Sequence, residues 1–219
     1  MREYQRQFLQ VCLDNQILKF RKDGFVLKSG RISPYFFNAG LFNNGKLVLQ
    51  LSNAYAKAIQ DPGNSLSFDV LFGPAYKGIP LAVMTCQALA SLGTDVEYSF
   101  NRKEAKDHGE GGNIVGASLK GKKVVIIDDV ITSGKAIREA IGIIEKEGGK
   151  LTGIVIAVDR QEQTLDSPLS AIESLKREVG INVVAIITLQ DIIEFTRTTL
   201  STDMAEALEA YRAKYGVQV

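Results

Sequence analysis

The segment from Lys123 to Ala136 constrains the fold of this chain more than any other stretch. An apolar run of strand length ends in two adjacent aspartates, Asp128 and Asp129, and a turn of small residues follows them. Behind the turn, apolar side chains recur with helical spacing as far as Ile144. The segment therefore predicts a buried strand that passes through a tight turn into an amphipathic helix.

This succession of strand, acidic pair, turn and helix start suits a phosphorylated sugar. Backbone N–H groups at the start of a helix, reinforced by the helix dipole, bind phosphate. Carboxylates at the end of the strand can accept hydrogen bonds from ribose hydroxyls or lie close to Mg²⁺. The alternative is a strand that runs into an ordinarily capped helix, because Asp, Ser and Thr are also common capping residues. One aspartate alone would favour that alternative, whereas the whole succession favours the phosphate site.

Strands and helices alternate along the chain. Periodicity and boundary residues predict helices over 3–19, 45–60, 77–92, 135–147 and 167–179, followed by terminal helices. Short apolar runs predict strands over 25–27, 35–37, 69–72, 96–100, 123–128, 151–158 and 182–187. This order predicts an α/β fold with a mainly parallel central sheet flanked by helices. We expect a single domain over residues 1–219, with residues 1–45 and the C-terminal helices forming a small N-terminal hood.

Composition argues against several kinds of partner. The net charge is +1, so no global field favours nucleic acid or a membrane surface. Cys12 and Cys86 lie in apolar helical patterns, which predicts buried thiols rather than a disulfide. The sequence shows no metal-ligand spacing, no apolar run of spanning length and no apolar signal region at its start. We therefore expect a cytoplasmic protein.

One segment is locally basic. Residues 101–113 are charged and glycine-rich, which predicts a mobile loop. Arg102, Lys103, Lys106 and His108, the only histidine, fall within seven residues. Charge alone favours a solvated run, and three acidic residues in the same segment partly neutralise it. The other interpretation is a set of cations that gathers around a polyanion.

The segment from Lys123 to Ala136 resembles the phosphoribosyl pyrophosphate (PRPP) signature of type I phosphoribosyltransferases. Segments that resemble the orotate phosphoribosyltransferase family are 4–8, 27–38, 72–80, 100–112 and 159–162. The resemblance extends to the C-terminus in the family's order. It implies transfer of the phosphoribosyl group from PRPP to orotate, which gives orotidine 5′-monophosphate and pyrophosphate in UMP biosynthesis.

The resemblance also implies the members of the site. The implied PRPP-binding residues are Lys28, Tyr76, Lys77, Arg102, Lys103, Lys106, His108, Asp128, Asp129, Val130, Ile131, Thr132, Ser133, Gly134, Lys135 and Ala136. The implied orotate-binding residues are Lys28, Phe36, Phe37, Thr132 and Arg160. The implied catalytic residues are Asp128, Asp129, Lys103 and His108. The implied cofactor is Mg²⁺, which arrives with PRPP rather than being held by the protein alone.

Assembly follows from the same resemblance. The loop 101–113 is expected to close over the active site and to reach the site of a neighbouring subunit. We therefore expect a homodimer with shared active sites, small-molecule substrates, and neither nucleic acid nor a membrane as partner. The loop 73–78, which often contains a strained peptide in the family, is expected to hold pyrophosphate.

Several points stay open at the level of sequence. The family usually has a small or hydroxylated residue where this chain has Lys135, which can either meet the phosphate or point to solvent. Phe36 and Phe37 are adjacent on a strand, so their side chains face opposite ways and at most one easily faces the base. The rival functions are transfer to another base, which the cations Lys28 and Arg160 argue against, and a non-catalytic PRPP sensor.

Overall fold

The computed structural model of the protein describes residues 1–64, 66–106 and 112–217. The strands are β1 (Leu18–Val26), β2 (Ile32–Phe37), β3 (Val70–Gly73), β4 (Glu97–Lys106), β5 (Gly112–Gly116), β6 (Lys123–Val130), β7 (Lys150–Asp159) and β8 (Asn182–Thr188). The helices are α1 (Glu3–Asp14), α2 (Gly45–Gln60), α3 (Gly78–Ser91), α4 (Lys135–Lys146), α5 (Ala171–Val179), α6 (Leu189–Thr199) and α7 (Thr202–Tyr215), with a 3-10 turn at Ala39–Leu41.

The centre is a six-stranded sheet in the order β5-β4-β3-β6-β7-β8. All neighbouring pairs from β4 to β8 are parallel, and β5 adds to the edge in the antiparallel sense. The predicted α/β fold with a mainly parallel sheet is therefore confirmed. Because the parallel strands share one direction, their carboxyl ends lie along one edge of the sheet.

Two apolar cores sandwich this sheet. In β6, Val125 and Ile127 point into the core that contains α1, α2, α3 and α6, whereas Val124 and Ile126 point into the core that contains α4 and α5. All four side chains are fully buried. Such a strand is apolar at consecutive positions because helices cover both of its faces.

The N-terminal residues form α1 and a separate antiparallel hairpin of β1 and β2. Helix α7 packs against both strands of this hairpin. These contacts support the predicted grouping of the N-terminal residues with the C-terminal helices, and the division into a domain with a hood stays a prediction.

The helix predicted over 3–19 was too long. It ends at Asp14, and Gln16 adopts a left-handed conformation with φ +55° that breaks the helical path. The apolar Ile17 and Leu18 are fully buried, and Leu18 already belongs to β1. Their apolar character suits a helix and a strand equally, which explains the error.

The segment predicted as a loop over 101–113 is also different. Strand β4 continues to Lys106, and β5 begins at Gly112. The two strands pair from Ser99 with Gly116 to Lys106 with Gly112, with an irregular register between Asn101 and Lys106. Pairing of β4 with β3 ends at Phe100, so the charged part of β4 lies beyond the layered centre of the sheet and needs no apolar face. Residues 107–111 lie outside the described part.

Two other expectations can be compared with the structure. Cys12 and Cys86 are free and buried, as predicted. No helix in the described ranges is long and apolar enough to cross a lipid bilayer.

Candidate active site

The loop that follows β3, strand β4 and the end of β6 meet at the carboxyl edge of the sheet. The Lys77 Nζ lies 2.8 Å from Asp129 Oδ2, which joins the loop after β3 to the end of β6. The ammonium of Lys103, on β4, lies 5.5 Å from the centroid of the Tyr76 ring. Four implied PRPP-binding residues from three strands are therefore brought together, as expected for the ligand edge of an open α/β sheet.

The acidic pair at the end of β6 is largely shielded from solvent. Asp128 Oδ1 accepts a hydrogen bond from the Asp129 N–H at 2.8 Å, and Asp129 Oδ1 accepts from the Val130 N–H at 2.9 Å. Burial is the main cause that raises the pKa of Asp128 to about 6, and the neighbouring Asp129 charge adds to it. Lys77 supplies the compensating charge to Asp129. Asp129 is thus paired with a cation, whereas the neighbouring Asp128 has a pKa raised toward neutral pH.

A buried tyrosine makes a hydrogen bond to the main chain of this acidic pair. Tyr55, on α2, is fully buried, and its hydroxyl donates to the Asp128 carbonyl at 2.8 Å. Sequence analysis did not single out Tyr55, because its position on the apolar face of α2 gives no local signal of this contact.

The loop 73–78 brings backbone segments into close contact. A Cβ added to Gly73 would lie 2.1 Å from the Gly78 carbonyl oxygen, so both glycines are required by the close approach. The Ala75–Tyr76 peptide bond is cis. The Ala75 N–H donates to Asn101 Oδ1 at 3.0 Å, which ties the loop to β4. Asn101 is a second supporting residue that sequence analysis missed.

The turn after β6 leads directly into α4. Gly134 has φ +73°, a conformation that favours glycine, and as the N-cap residue it has no side chain to cap the helix that follows. The Ser133 Oγ accepts from the Lys135 N–H at 3.4 Å. Thr132 and Ser133 are exposed beside it. The Lys135 side chain is 83% exposed, and its Nζ lies 4.0 Å from Glu139 Oε1. This position supports the outward alternative for Lys135.

Arg160 follows β7 and lies in a mostly buried cluster of charges. Glu162 Oε1 accepts from Arg160 Nε at 2.9 Å and from Nη2 at 2.6 Å. The Arg160 guanidinium also lies 4.6 Å from the centroid of the buried Tyr35 ring. Glu162 Oε2 is 3.7 Å from Nη1 of Arg31, on the hairpin. The cluster contains two guanidinium groups and one carboxylate, so it retains one positive charge.

The other implied orotate-binding residues lie on or beside the hairpin. Phe36 is partly exposed, whereas Phe37 packs against the core and lies 6.5 Å from Phe42 between ring centroids. Their opposite orientations follow from the alternation of a strand. Lys28 is exposed in the turn between β1 and β2. The structure shows no direct contact of Lys28 or Phe36 with Arg160 among the described residues.

Part of the predicted cation cluster cannot be placed. His108 lies outside the described residues, and the side chain of Lys106 is not described. Arg102 and Lys103 lie on β4.

The site combines a strand that turns directly into a helix, an acidic pair at the end of that strand, and a second loop that Lys77 joins to the pair. This is the arrangement expected of a phosphoribosyltransferase. A family model described as "Phosphoribosyl transferase domain" matches residues 40–190. The range includes the loops after β3, β4, β6 and β7, and it excludes the whole N-terminal hairpin of β1 and β2.

Relatives that align over nearly the whole chain identify a narrower family within the phosphoribosyltransferases. The orotate phosphoribosyltransferase of Kluyveromyces lactis is 52% identical, with 99% of this chain and 97% of the relative covered. That of Marinobacter nauticus is also 52% identical, with 99% and 100% covered. The crystal structure of the Francisella tularensis orotate phosphoribosyltransferase is 42% identical, with a TM-score of 0.87 over 96% of this chain and 99% of that chain. The chain belongs to the orotate phosphoribosyltransferase family.

Proposed function

We propose that this chain transfers the 5-phosphoribosyl group from PRPP to orotate, which gives orotidine 5′-monophosphate and pyrophosphate in the biosynthesis of UMP. The observation that carries the proposal is the 2.8 Å contact between Lys77 and Asp129. It joins a loop suited to pyrophosphate to an acidic pair suited to ribose hydroxyls. A substrate that contains both groups next to one another is PRPP.

The roles at PRPP follow from the chemistry of each element. The N–H groups at the start of α4 and the Thr132 hydroxyl bind the 5′-phosphate. Asp128 and Asp129 accept hydrogen bonds from the ribose hydroxyls. Lys77, with the backbone of its loop, binds pyrophosphate, and Lys103 adds charge from β4. Arg102, Lys106 and His108 are proposed to complete this set of cations.

The base site is proposed to lie between the hairpin and Arg160. Orotate is a planar ring with a carboxylate, and the cluster around Arg160 has one positive charge in excess. Because Glu162 occupies the edge formed by Nε and Nη2, a substrate carboxylate would meet the opposite edge of the guanidinium fork. Lys28, Thr132 and the main chain of Phe36 and Phe37 are proposed to bind the remaining edge of the ring.

The residues at the carboxyl edge fit a metal ion that enters with the substrate. Among the described residues, no group of three or more metal-ligating side chains lies together. Asp129 is already paired with Lys77, and the neighbouring Asp128 lies beside the proposed ribose site. When bound, Mg²⁺ would neutralise part of the charge of PRPP and of the departing pyrophosphate.

Catalysis is proposed to require no covalent nucleophile. The bond between C1′ and pyrophosphate breaks early, the ribose acquires oxocarbenium character, and N1 of orotate attacks C1′. N1 loses its proton as the new bond forms, and the departing pyrophosphate can take that proton up. The protein contributes by positioning the two substrates and by placing cations where charge develops on the leaving group. Closure of the segment 101–113 would exclude water from the reactive ribose.

The proposed assembly is a cytoplasmic homodimer with shared active sites. Val26 and Ile32 form a register pair across the hairpin and are 79% and 59% exposed. An exposed apolar pair supports an interface with a second chain.

A comparison of bases tests the proposed function. With PRPP and Mg²⁺, we expect turnover of orotate and a kcat/KM for uracil and hypoxanthine lower by at least about a hundredfold, since neither base has a carboxylate. A kcat/KM for uracil or hypoxanthine equal to or above that for orotate would contradict the assignment.

A further inference from the structure

The guanidinium of Arg138 makes three hydrogen bonds to two partners beside the proposed phosphate loop. Its Nε and Nη2 donate to the two oxygens of Glu178, on α5, at 2.9 and 2.8 Å. Its third nitrogen, Nη1, donates to the Ser133 carbonyl at 3.0 Å. The two bonds to Glu178 fix the plane of the guanidinium, so the direction of Nη1 is fixed as well.

The bond to Ser133 also orients the next N–H group. The Ser133 carbonyl and the Gly134 N–H belong to one trans peptide unit, in which the two groups point in opposite directions. Arg138 holds the carbonyl on its own side of the turn. The Gly134 N–H therefore points away from Arg138, toward the open side of the turn.

That N–H group lacks a partner within the protein. Gly134 is buried, and its N–H donates to no acceptor in the part of the chain that the structure describes. An N–H group that faces the open side of the turn without a protein acceptor is available to donate to a ligand oxygen. The Arg138 guanidinium also packs directly against Gly134, since a Cβ at position 134 would lie 2.8 Å from Arg138 Nη1.

We propose that Arg138, anchored by Glu178, is a positioning residue that turns the Gly134 N–H toward the 5′-phosphate of PRPP. The inference rests on the proposed function for the identity of the ligand, which is a phosphate monoester on a pentose. Arg138 acts through the backbone and does not itself have to touch the substrate.

Arg138→Met is the main test, because it removes all three contacts and keeps much of the length of the side chain. A hydrogen bond to a charged group corresponds to roughly a tenfold to hundredfold change in affinity. Without Arg138, the peptide unit of Ser133 and Gly134 can still adopt the required orientation part of the time. We therefore expect a change in affinity near the tenfold end of this range. The PRPP KM and the Kd of ribose 5-phosphate, measured by calorimetry, should each rise about tenfold. The orotate KM and the Kd of pyrophosphate should stay within about twofold.

Two further variants separate orientation from charge. Glu178→Gln weakens only the anchor, so it should raise the same two constants by a smaller factor, and Arg138→Met/Glu178→Gln should match Arg138→Met alone. Arg138→Lys keeps the charge but cannot hold Glu178 and Ser133 together, so it should lose most of the affinity. The matched control is Arg197→Met, which breaks the exposed pair of Arg197 with Glu209 between α6 and α7 and should leave all four constants unchanged.

Several results would overturn the proposal. One is Arg138→Met with a PRPP KM and a ribose 5-phosphate Kd within twofold of wild type; another is wild-type affinity in Arg138→Lys. Equal weakening of all ligands would indicate general damage to the fold. If Arg138→Met does not fold, unchanged constants in a folded Glu178→Gln protein would contradict the inference. Binding of ribose 5-phosphate by a wild-type protein that does not turn over orotate would refute the proposed function and leave this inference testable through the Kd.

Discussion

At the residue scale, the cluster of Arg160, Glu162 and Arg31 explains how a base site can hold a cation away from bulk water. Their side chains are 16%, 12% and 13% exposed. Glu162 satisfies two donors of Arg160 and lies close to Arg31, so one carboxylate stabilises two guanidinium groups. The remaining positive charge suits a single substrate carboxylate.

Replacement of Arg160 with Ala should weaken orotate more than PRPP. Loss of a charge-assisted contact corresponds to roughly 1.5–3 kcal/mol, or a rise of about tenfold to a hundredfold in the orotate KM. Arg160→Lys keeps the positive charge but loses the two-pronged guanidinium, so its orotate KM should lie between those of wild type and Arg160→Ala. Steady-state kinetics with each substrate varied in turn provides the measurement. An unchanged orotate KM together with a raised PRPP KM would show that Arg160 does not bind the base.

The raised pKa of Asp128 makes the stability of the free protein depend on pH. Burial first, and the Asp129 charge in addition, raise this pKa from 3.8 to about 6. Between these two values the folded protein binds a proton that the unfolded chain has released. The contribution of Asp128 to the free energy of unfolding therefore falls as the pH rises from about 4 to above 6, by about 1–3 kcal/mol.

Urea denaturation of wild type and Asp128→Asn over this pH range measures the effect. The asparagine does not titrate, so the stability of wild type relative to the variant should decrease as the pH rises, and it should level off above about pH 7. A difference that is constant from pH 4 to 7 would mean that Asp128 titrates near its ordinary value.

At the element scale, the loop 73–78 depends on close contact between backbone segments. Gly73→Ala would place a Cβ 2.1 Å from the Gly78 carbonyl oxygen, so the loop has to move. We expect a loss of about 1–3 kcal/mol in the free energy of unfolding and a raised PRPP KM. Gly142→Ala is the matched control, because nothing lies within 4 Å of the added Cβ in the middle of α4. The control should be neutral or stabilising by roughly 0.5–1 kcal/mol. Equal stability and an equal PRPP KM in Gly73→Ala and wild type would refute this account of the loop.

Elements with strong periodicity could be predicted from the sequence, and elements decided by pairing could not. Helix α2 occupies the predicted residues 45–60, because its apolar spacing predicts a helix and the Asp-Pro-Gly that follows predicts where it ends. The continuation of β4 to Lys106 was missed, because its charged residues give no apolar alternation that would indicate a strand. The start of β1 was missed because Ile17 and Leu18 suit either element.

The same distinction applies to the site. Residues that carry a local motif, such as Asp128, Asp129 and Lys77, could be named from the sequence. Tyr55 and Asn101 could not, because each contacts a backbone group distant in the chain. Tyr55 reaches the Asp128 carbonyl on β6, and Asn101 reaches the Ala75 N–H in the loop 73–78. Nothing in the sequence near a residue shows such a contact, which arises only when the sheet brings distant segments together.

At the scale of the whole molecule, the proposed shared active site raises a question about Lys103. Within one chain, its ammonium lies 5.5 Å from the centroid of the Tyr76 ring. Completion of a neighbouring site would require this side chain to leave that ring. The alternative is that Lys103 serves the site of its own subunit.

Mixed dimers distinguish these possibilities. Lys103→Ala and Asp129→Asn should each be nearly inactive alone. If Lys103 acts on the partner, one site of a mixed dimer inherits both defects and the other inherits neither. Random reassembly of the two variants should then recover up to about a quarter of wild-type activity. If subunit exchange is verified and no activity returns, Lys103 acts within its own subunit.

The loss of orotate absorbance on addition of PRPP and Mg²⁺ tests the central claim most directly. Wild type should convert orotate with release of one pyrophosphate per orotate consumed, and excess chelator should stop the reaction. Asp129→Asn, which removes the negative charge that pairs with Lys77, should be nearly inactive. The account would be contradicted by a folded wild-type protein that leaves the orotate absorbance unchanged, or by full turnover in Asp129→Asn.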